Sequence, residues 1–172
     1  APVSGKMIAV VGAGLAGLSA AFTVARLGHT CHVFEKRLRA CDSLRSLPEL
    51  PWEILDAEIE GIRAAGVAIH LETDVAPESL LQGYDVVIAA CNDRRESNPR
   101  LLDADEETMP VRAVANGKRA AFDADAILRK RPPLSARPFN SSLGMLDANE
   151  LPHYAVDRLR NTAPNDAGRC LH

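Results

Sequence analysis

A glycine-rich turn between an apolar run and an Ala- and Leu-rich segment constrains the fold of this chain more than any other feature. The apolar residues 7–11 stop at Gly12 and predict a short buried strand, and residues 15–27 predict a helix that ends at a glycine. The turn reads Gly12-Ala13-Gly14-Leu15-Ala16-Gly17, the Gly-x-Gly-x-x-Gly pattern in a strand-to-helix context. This order predicts a βαβ unit with a phosphate-binding turn.

Each glycine of the pattern has a physical role in such a turn. Gly12 permits the tight turn, Gly14 lets the backbone approach a pyrophosphate, and Gly17 lets helix and strand pack closely. Backbone N–H groups and the positive end of the helix dipole favour a phosphate there. Glu35 ends the predicted second strand, residues 30–35, where a carboxylate accepts hydrogen bonds from a ribose hydroxyl and repels a 2′-phosphate. The alternative is that the glycines only tighten the turn and that Glu35 is a solvated acid.

The rest of the chain extends this unit into an α/β domain. Residues 52–65 and 111–130 predict helices, and residues 67–72 and 84–90 predict strands. The polar composition of residues 92–110 predicts an exposed loop. The fold class is therefore α/β, a Rossmann-like parallel sheet with flanking helices.

We divide the chain into two parts. Residues 1–131 form the single Rossmann-like domain. We expect the proline-punctuated residues 132–172 to form an extended C-terminal tail that packs against another subunit or a second copy.

Composition excludes several classes of partner. The chain of 172 residues has 20 basic and 23 acidic residues and a net charge of −3, which favours neither nucleic acid nor an anionic membrane. Its longest apolar segment is interrupted by three glycines and predicts no bilayer span. The four cysteines are scattered without a Cys-x-x-Cys pair, which predicts reduced thiols in a cytoplasmic protein and no metal site.

Several segments together resemble the FAD-binding domain of the glutamate synthase small-subunit family, which are NAD(P)H-dependent iron–sulfur flavoproteins. The resemblance runs over residues 5–18, the Leu44-Arg45 pair, residues 50–59, residues 84–90 and residues 113–121. It implies FAD as the cofactor. In that family a separate NAD(P)H domain is inserted between the last two of these blocks, and the resemblance implies that it is deleted here around residues 92–110.

The resemblance also implies which residues hold FAD. Beyond the turn and Glu35, these are Lys36, Arg45, Val75 and Asp105. Three family glycine positions are replaced: a glycine pair by Asp42-Ser43 or Cys41-Asp42, an Ala-Thr-Gly by Ala89-Ala90-Cys91, and a Gly-Asp by Ala104-Asp105. These departures fall at the flavin-ring end of the implied site, whereas the adenosine end matches.

Three functions remain open from the sequence. The first is an FAD-binding electron-transfer domain or subunit of a multisubunit oxidoreductase, with no independent oxidation of NAD(P)H. The second is a degenerate, non-catalytic flavoprotein-like scaffold, and the third is a small NAD-binding module. No residue stands out as a catalytic acid, base or nucleophile.

Overall fold

The computed structural model describes residues 4–45, 50–91, 98–104 and 109–132. These residues belong to one compact unit, Ala1–Arg137. Apart from Pro132, the predicted C-terminal tail lies outside the described residues, as does most of the loop predicted at residues 92–110.

Five parallel strands form one sheet in the order β3-β2-β1-β4-β5. The apolar run that precedes the glycine turn is the central strand, and its residues Ile8 and Val10 are fully buried. Val11 pairs with Phe34 on one side and with Ala89 on the other. The strands are β1 Met7–Val11, β2 Thr30–Phe34, β3 Val67–His70, β4 Val86–Ala89 and β5 Leu101–Asp103.

Helices flank this sheet, so the predicted Rossmann-like α/β class is confirmed. Ile8 and Val10 face a core that includes buried side chains of three long helices, while Ala9 and Val11 face the second core, which includes the segment between β3 and β4. The helices are α1 Leu15–Arg26, α2 Trp52–Ala64, α3 Pro77–Leu80 and α4 Pro110–Leu128. In the described part of the chain no helix is both long and apolar enough to cross a membrane.

Helices α1 and α4 cross at a glycine. A Cβ added at Gly117 of α4 would lie 2.0 Å from the carbonyl oxygen of Ala16 and 2.3 Å from Ser19 Oγ on α1. Ser19 Oγ also bonds the carbonyl oxygen of Val114, at 3.1 Å. The first turn of α1 is therefore held directly against the middle of α4.

Two elements differ from the sequence prediction. Strand β5 lies inside the residues expected to form an exposed loop, and Leu101 is buried where it pairs with Val87. The four-residue helix α3 was not predicted. Both elements are too short to show a hydrophobic period, so only pairing with β4 or packing on the sheet defines them.

A cluster of hydrogen bonds around the buried carboxylate of Asp125 joins the start of β2 to the end of α4. His29 Nε2 lies 2.9 Å from Asp125 Oδ1, and both side chains are nearly inaccessible to solvent. Arg129 Nε and Arg131 each donate to the same carboxylate at 2.5 Å. Burial alone would raise the pKa of Asp125, but the hydrogen bonds from Arg129 and His29 hold that pKa below its ordinary value.

Candidate functional site

A cavity of about 660 Å³ lies at the carboxyl ends of β1, β2 and β4. Its walls are the glycine turn, the residues that follow β2, residues 73–78 and the end of β4. Open α/β sheets bind ligands at this edge, at the point where the strand order reverses, which here lies between β1 and β4. The volume is in the range typical of small-molecule and cofactor sites.

The turn at the floor of this cavity has no room for side chains at two glycines. Gly12 has a φ of +103°, and a Cβ there would lie 2.5 Å from the carbonyl oxygen of Ala90. A Cβ on Gly17 would lie 1.9 Å from the carbonyl oxygen of Gly12. Gly14 lines the cavity and is the N-cap of α1. The backbone of the turn is thus presented to the cavity without side chains at these glycines, as a close approach by phosphate requires.

Glu35 connects the end of β2 to the glycine turn. Its Oε2 accepts a hydrogen bond from the backbone N–H of Ala13 at 2.6 Å, and its Oε1 accepts one from the N–H of Arg37 at 2.9 Å. An ionised carboxylate has about four acceptor positions, so these two bonds leave capacity for about two hydroxyl donors. Glu35 also lines the cavity. The carboxylate is therefore oriented by the backbone and can still accept bonds from a ribose.

The structure brings together six of the eleven residues predicted to bind a cofactor. Three other residues, Leu15, Ala16 and Gly17, lie in the first turn of α1 and do not line the cavity. Arg45 does not line it either, and Asp105 lies outside the described residues. The six that share the cavity are Gly12, Ala13, Gly14, Glu35, Lys36 and Val75.

Further residues of the cavity were missed at the sequence level. Arg37 and Arg39 line it with exposed side chains next to Lys36, and Arg37 also pairs with Asp42 at 3.2 Å. The cavity lining thus carries basic and acidic side chains together. The sequence could have indicated these arginines, because they lie within four residues of Glu35. Asp74 also lines the cavity, but it reaches it only through the topology of the sheet. Cys91, part of an altered family position at the flavin-ring end, lines the cavity as well.

The backbone at Cys41 favours one of the two alignments left open for the family's glycine pair. Cys41 has a φ of 51° and a ψ of 35°, in the left-handed region that favours glycine. Its N–H donates to the carbonyl oxygen of Ala13 at 2.8 Å. This conformation favours Cys41-Asp42 as the counterpart of the glycine pair, with a buried thiol at a backbone position that suits glycine.

No metal centre accompanies this cavity among the described ranges, where no three His, Cys, Asp or Glu side chains are grouped to hold an ion. The sheet order and the glycine turn are those of a Rossmann-like domain. Residues 10–51 match the NAD(P)-binding Rossmann-like domain family.

The relatives of this chain are oxidoreductase subunits. It is 40% identical over 113 residues to the NADP(+)-dependent formate dehydrogenase subunit beta of Moorella thermoacetica, covering 62% of this chain and 16% of that protein. It is 36% identical over 95 residues to the glutamate synthase [NADPH] small chain of Mycobacterium tuberculosis, covering 51% and 20%. The resemblance found in the sequence is thus confirmed over about half of the chain, which itself spans a fifth or less of these relatives.

Two further proteins extend the comparison. The NAD-dependent dihydropyrimidine dehydrogenase subunit PreT of Escherichia coli is 38% identical over 71 residues, covering 40% of this chain and 17% of that one. Among solved structures, FprA of Mycobacterium tuberculosis in complex with NADPH superposes with a TM-score of 0.45 at 21% identity, covering 50% of this chain and 22% of FprA.

Proposed function

We propose that the cavity binds the ADP half of FAD and that the chain is the FAD-binding, electron-transfer domain or subunit of a multisubunit oxidoreductase. The observation that carries this proposal is the bond from Ala13 N–H to Glu35, which fixes a ribose-binding carboxylate beside the glycine turn. The pyrophosphate would lie over residues 12–17 and the adenosine ribose against Glu35. Val75 would lie near the adenine.

The residues present fit this group at its adenosine end. Gly12 and Gly17 have no room for a Cβ, so the close turn needs glycine at both positions. The cations Lys36, Arg37 and Arg39 line the cavity together with acidic side chains and would offset phosphate charge. The family resemblance favours FAD over NAD, and the negative charge of Glu35 disfavours the 2′-phosphate of NADP. When bound, FAD supplies the redox chemistry, while the protein supplies binding and orientation.

The assembly is part of the same proposal. Relatives of this chain are named as subunits or chains of oxidoreductases, which supports partner subunits here. We propose that the tail, residues 132–172, contacts such a subunit or a second copy, that the protein is cytoplasmic, and that residues 92–110 stand where the family inserts its NAD(P)H domain. The chain alone should then leave NADH and NADPH unoxidised, and rapid anaerobic bleaching of bound flavin by either nucleotide would refute this.

A non-catalytic scaffold that binds FAD or ADP is a second candidate, favoured by the altered ring-side positions. Cys41 keeps the backbone of a glycine position but places a Cβ there, and Cys91 lines the same cavity. The two candidates differ in what the flavin ring contributes. An electron-transfer component holds the ring and binds FAD more tightly than ADP, whereas a scaffold binds the two with equal affinity.

Titration of the apo-protein with FAD, FMN and ADP tests the site. FAD and ADP should bind, while FMN, which lacks the adenosine, should bind poorly. A hydrogen bond to a charged group contributes about 1.5–3 kcal/mol, so Glu35→Ala should weaken FAD and ADP roughly ten- to a hundredfold. Gly14→Val should abolish binding because it places a side chain where the phosphate must lie.

The control variant is Glu58→Ala, which removes an exposed acid of α2 that does not line the cavity. It should bind FAD as the unmodified chain does. Tight FMN binding, or FAD affinity that neither Glu35→Ala nor Gly14→Val changes, would exclude the proposed site.

A further inference from the structure

The segment that follows β2 forms one wall of the cavity. We call residues 36–45 the cavity loop. Lys36, Arg37, Arg39, Cys41 and Asp42 of this loop line the cavity. A backbone bond, from Cys41 N–H to the carbonyl oxygen of Ala13 at 2.8 Å, holds the middle of the loop against the glycine turn.

Arg45 fastens the other end of this loop. Its Nε donates to the carbonyl oxygen of Ala40 at 3.3 Å, and its terminal nitrogen pairs with the carboxylate of Asp56 on α2. The Arg45 side chain is 14% exposed, so it is packed into the protein rather than extended into solvent. The hydrogen bond from Arg45 holds the pKa of Asp56 below its ordinary value, so this pair is ionised at neutral pH.

We infer that Arg45 acts as a positioning residue, and that the Arg45–Asp56 pair is a latch that holds the cavity loop closed against the glycine turn. The inference rests on the proposed function and changes the role that the family resemblance implies for Arg45, which is direct contact with FAD. Arg45 does not line the cavity, and its guanidinium is bonded to both the loop backbone and α2. Asp56, which no sequence pattern singled out, then supports nucleotide binding through its pair with Arg45.

The expected loss of nucleotide affinity is small because the Arg45–Asp56 pair is partly exposed to water. The Asp56 side chain is 45% exposed, and ion pairs that are partly open to water are weak. Loss of the latch should therefore weaken nucleotide binding by about two- to fivefold. Because the latch acts on the loop and not on a particular ligand atom, the affinities for FAD and for ADP should fall by the same factor.

The test combines binding with hydrogen exchange on the whole chain. Asp56→Asn and Arg45→Gln are each titrated with FAD and ADP, together with the double variant. Each single variant should lose the same two- to fivefold, and the double variant should lose no more than either, since both remove one interaction. Without nucleotide, the Cys41 amide should exchange faster in all three variants because its bond to Ala13 opens more often.

Two further variants serve as controls. Arg63→Gln removes the surface pair that Arg63 forms with Glu60 on the same helix, and it should change neither affinity nor Cys41 exchange. Asp56→Glu keeps the carboxylate and should retain slow Cys41 exchange.

The outcomes separate the latch from the proposed function. A loss in Arg45→Gln that far exceeds the loss in Asp56→Asn, with Cys41 exchange unchanged, would overturn the latch and assign Arg45 to the ligand. Failure of the unmodified chain to bind FAD or ADP would refute the proposed function alone. Hydrogen exchange would then still decide the latch, because unchanged Cys41 protection in the variants overturns it with or without a ligand.

Discussion

Replacing Gly117 with alanine tests the packing that supports the glycine turn. In a helix interior this change normally stabilises a protein by about 1 kcal/mol, because alanine is the better helix former. Here the new Cβ would lie 2.0 Å from the carbonyl oxygen of Ala16 and 2.3 Å from Ser19 Oγ. Ordinary carbon contacts are about 3.5 Å, so α1 and α4 would have to separate by on the order of 1 Å.

That separation is costly because neither neighbour can move aside easily. The Ala16 oxygen belongs to the backbone of α1, and Ser19 Oγ is bonded to the carbonyl oxygens of Ala16 and Val114. Overpacking of this kind costs about 1–3 kcal/mol, and backbone involvement points to the upper end. After the gain in helix propensity, Gly117→Ala should lower the free energy of unfolding by about 2 kcal/mol.

Gly61→Ala is the matched control, since Gly61 lies inside α2 and a Cβ there meets nothing within 4 Å. It should raise the free energy of unfolding by about 1 kcal/mol. The two variants should thus differ in Tm by about 6–12 °C in thermal unfolding. A Gly117→Ala protein as stable as the unmodified chain would refute the close crossing of α1 and α4.

Two further measurements follow from buried titratable groups. Asp125→Ala should lower stability by about 1–3 kcal/mol at pH 7, because it leaves the buried Nε2 of His29 without its hydrogen-bond partner. The pKa of Asp125 is depressed in the folded state by Arg129 and His29, so its contribution is present above about pH 4 and is lost as pH falls through the folded pKa. Urea unfolding at pH 7 and pH 3 should therefore give a smaller difference at pH 3, and an equal difference contradicts the pairing. Burial raises the pKa of Cys31 to about 12, so iodoacetamide at pH 8 should label Cys91 and spare Cys31. ADP should slow the Cys91 reaction because Cys91 lines the cavity, and equal rates with and without ADP would contradict that placement.

The βαβ unit and its glycine turn could be predicted closely from the sequence. The helix expected at residues 15–27 is observed at Leu15–Arg26, and the strand expected at residues 30–35 at Thr30–Phe34. These elements are determined locally, because apolar runs, a helix-ending glycine and turn glycines are neighbours in sequence. The position of Glu35 at the end of the second strand was predicted from the same local pattern.

The edge of the sheet and part of the cavity could not be predicted in this way. Strand β5 is defined by pairing Leu101 with Val87, and a three-residue strand has no period of its own. Asp74 reaches the cavity from the segment after β3, which the strand order places beside β2 and Glu35. Arg45 matched a family position in the sequence, but the sequence did not show that Arg45 contacts Asp56.

The hydrogen-bonded cluster at His29 shows most clearly what the tertiary structure adds to the sequence. The sequence around His29 offers no acid at a meaningful spacing, and by sequence alone the arginines near residue 130 are cations at a helix end, where they complement the helix dipole. In the structure His29 bonds Asp125, 96 positions away, and those arginines bond the same carboxylate. Sequence patterns by themselves determined which segments become strands, helices and the phosphate turn. Only the tertiary structure decided which charges meet, because an ion pair depends on packing between distant elements and leaves no period in the chain.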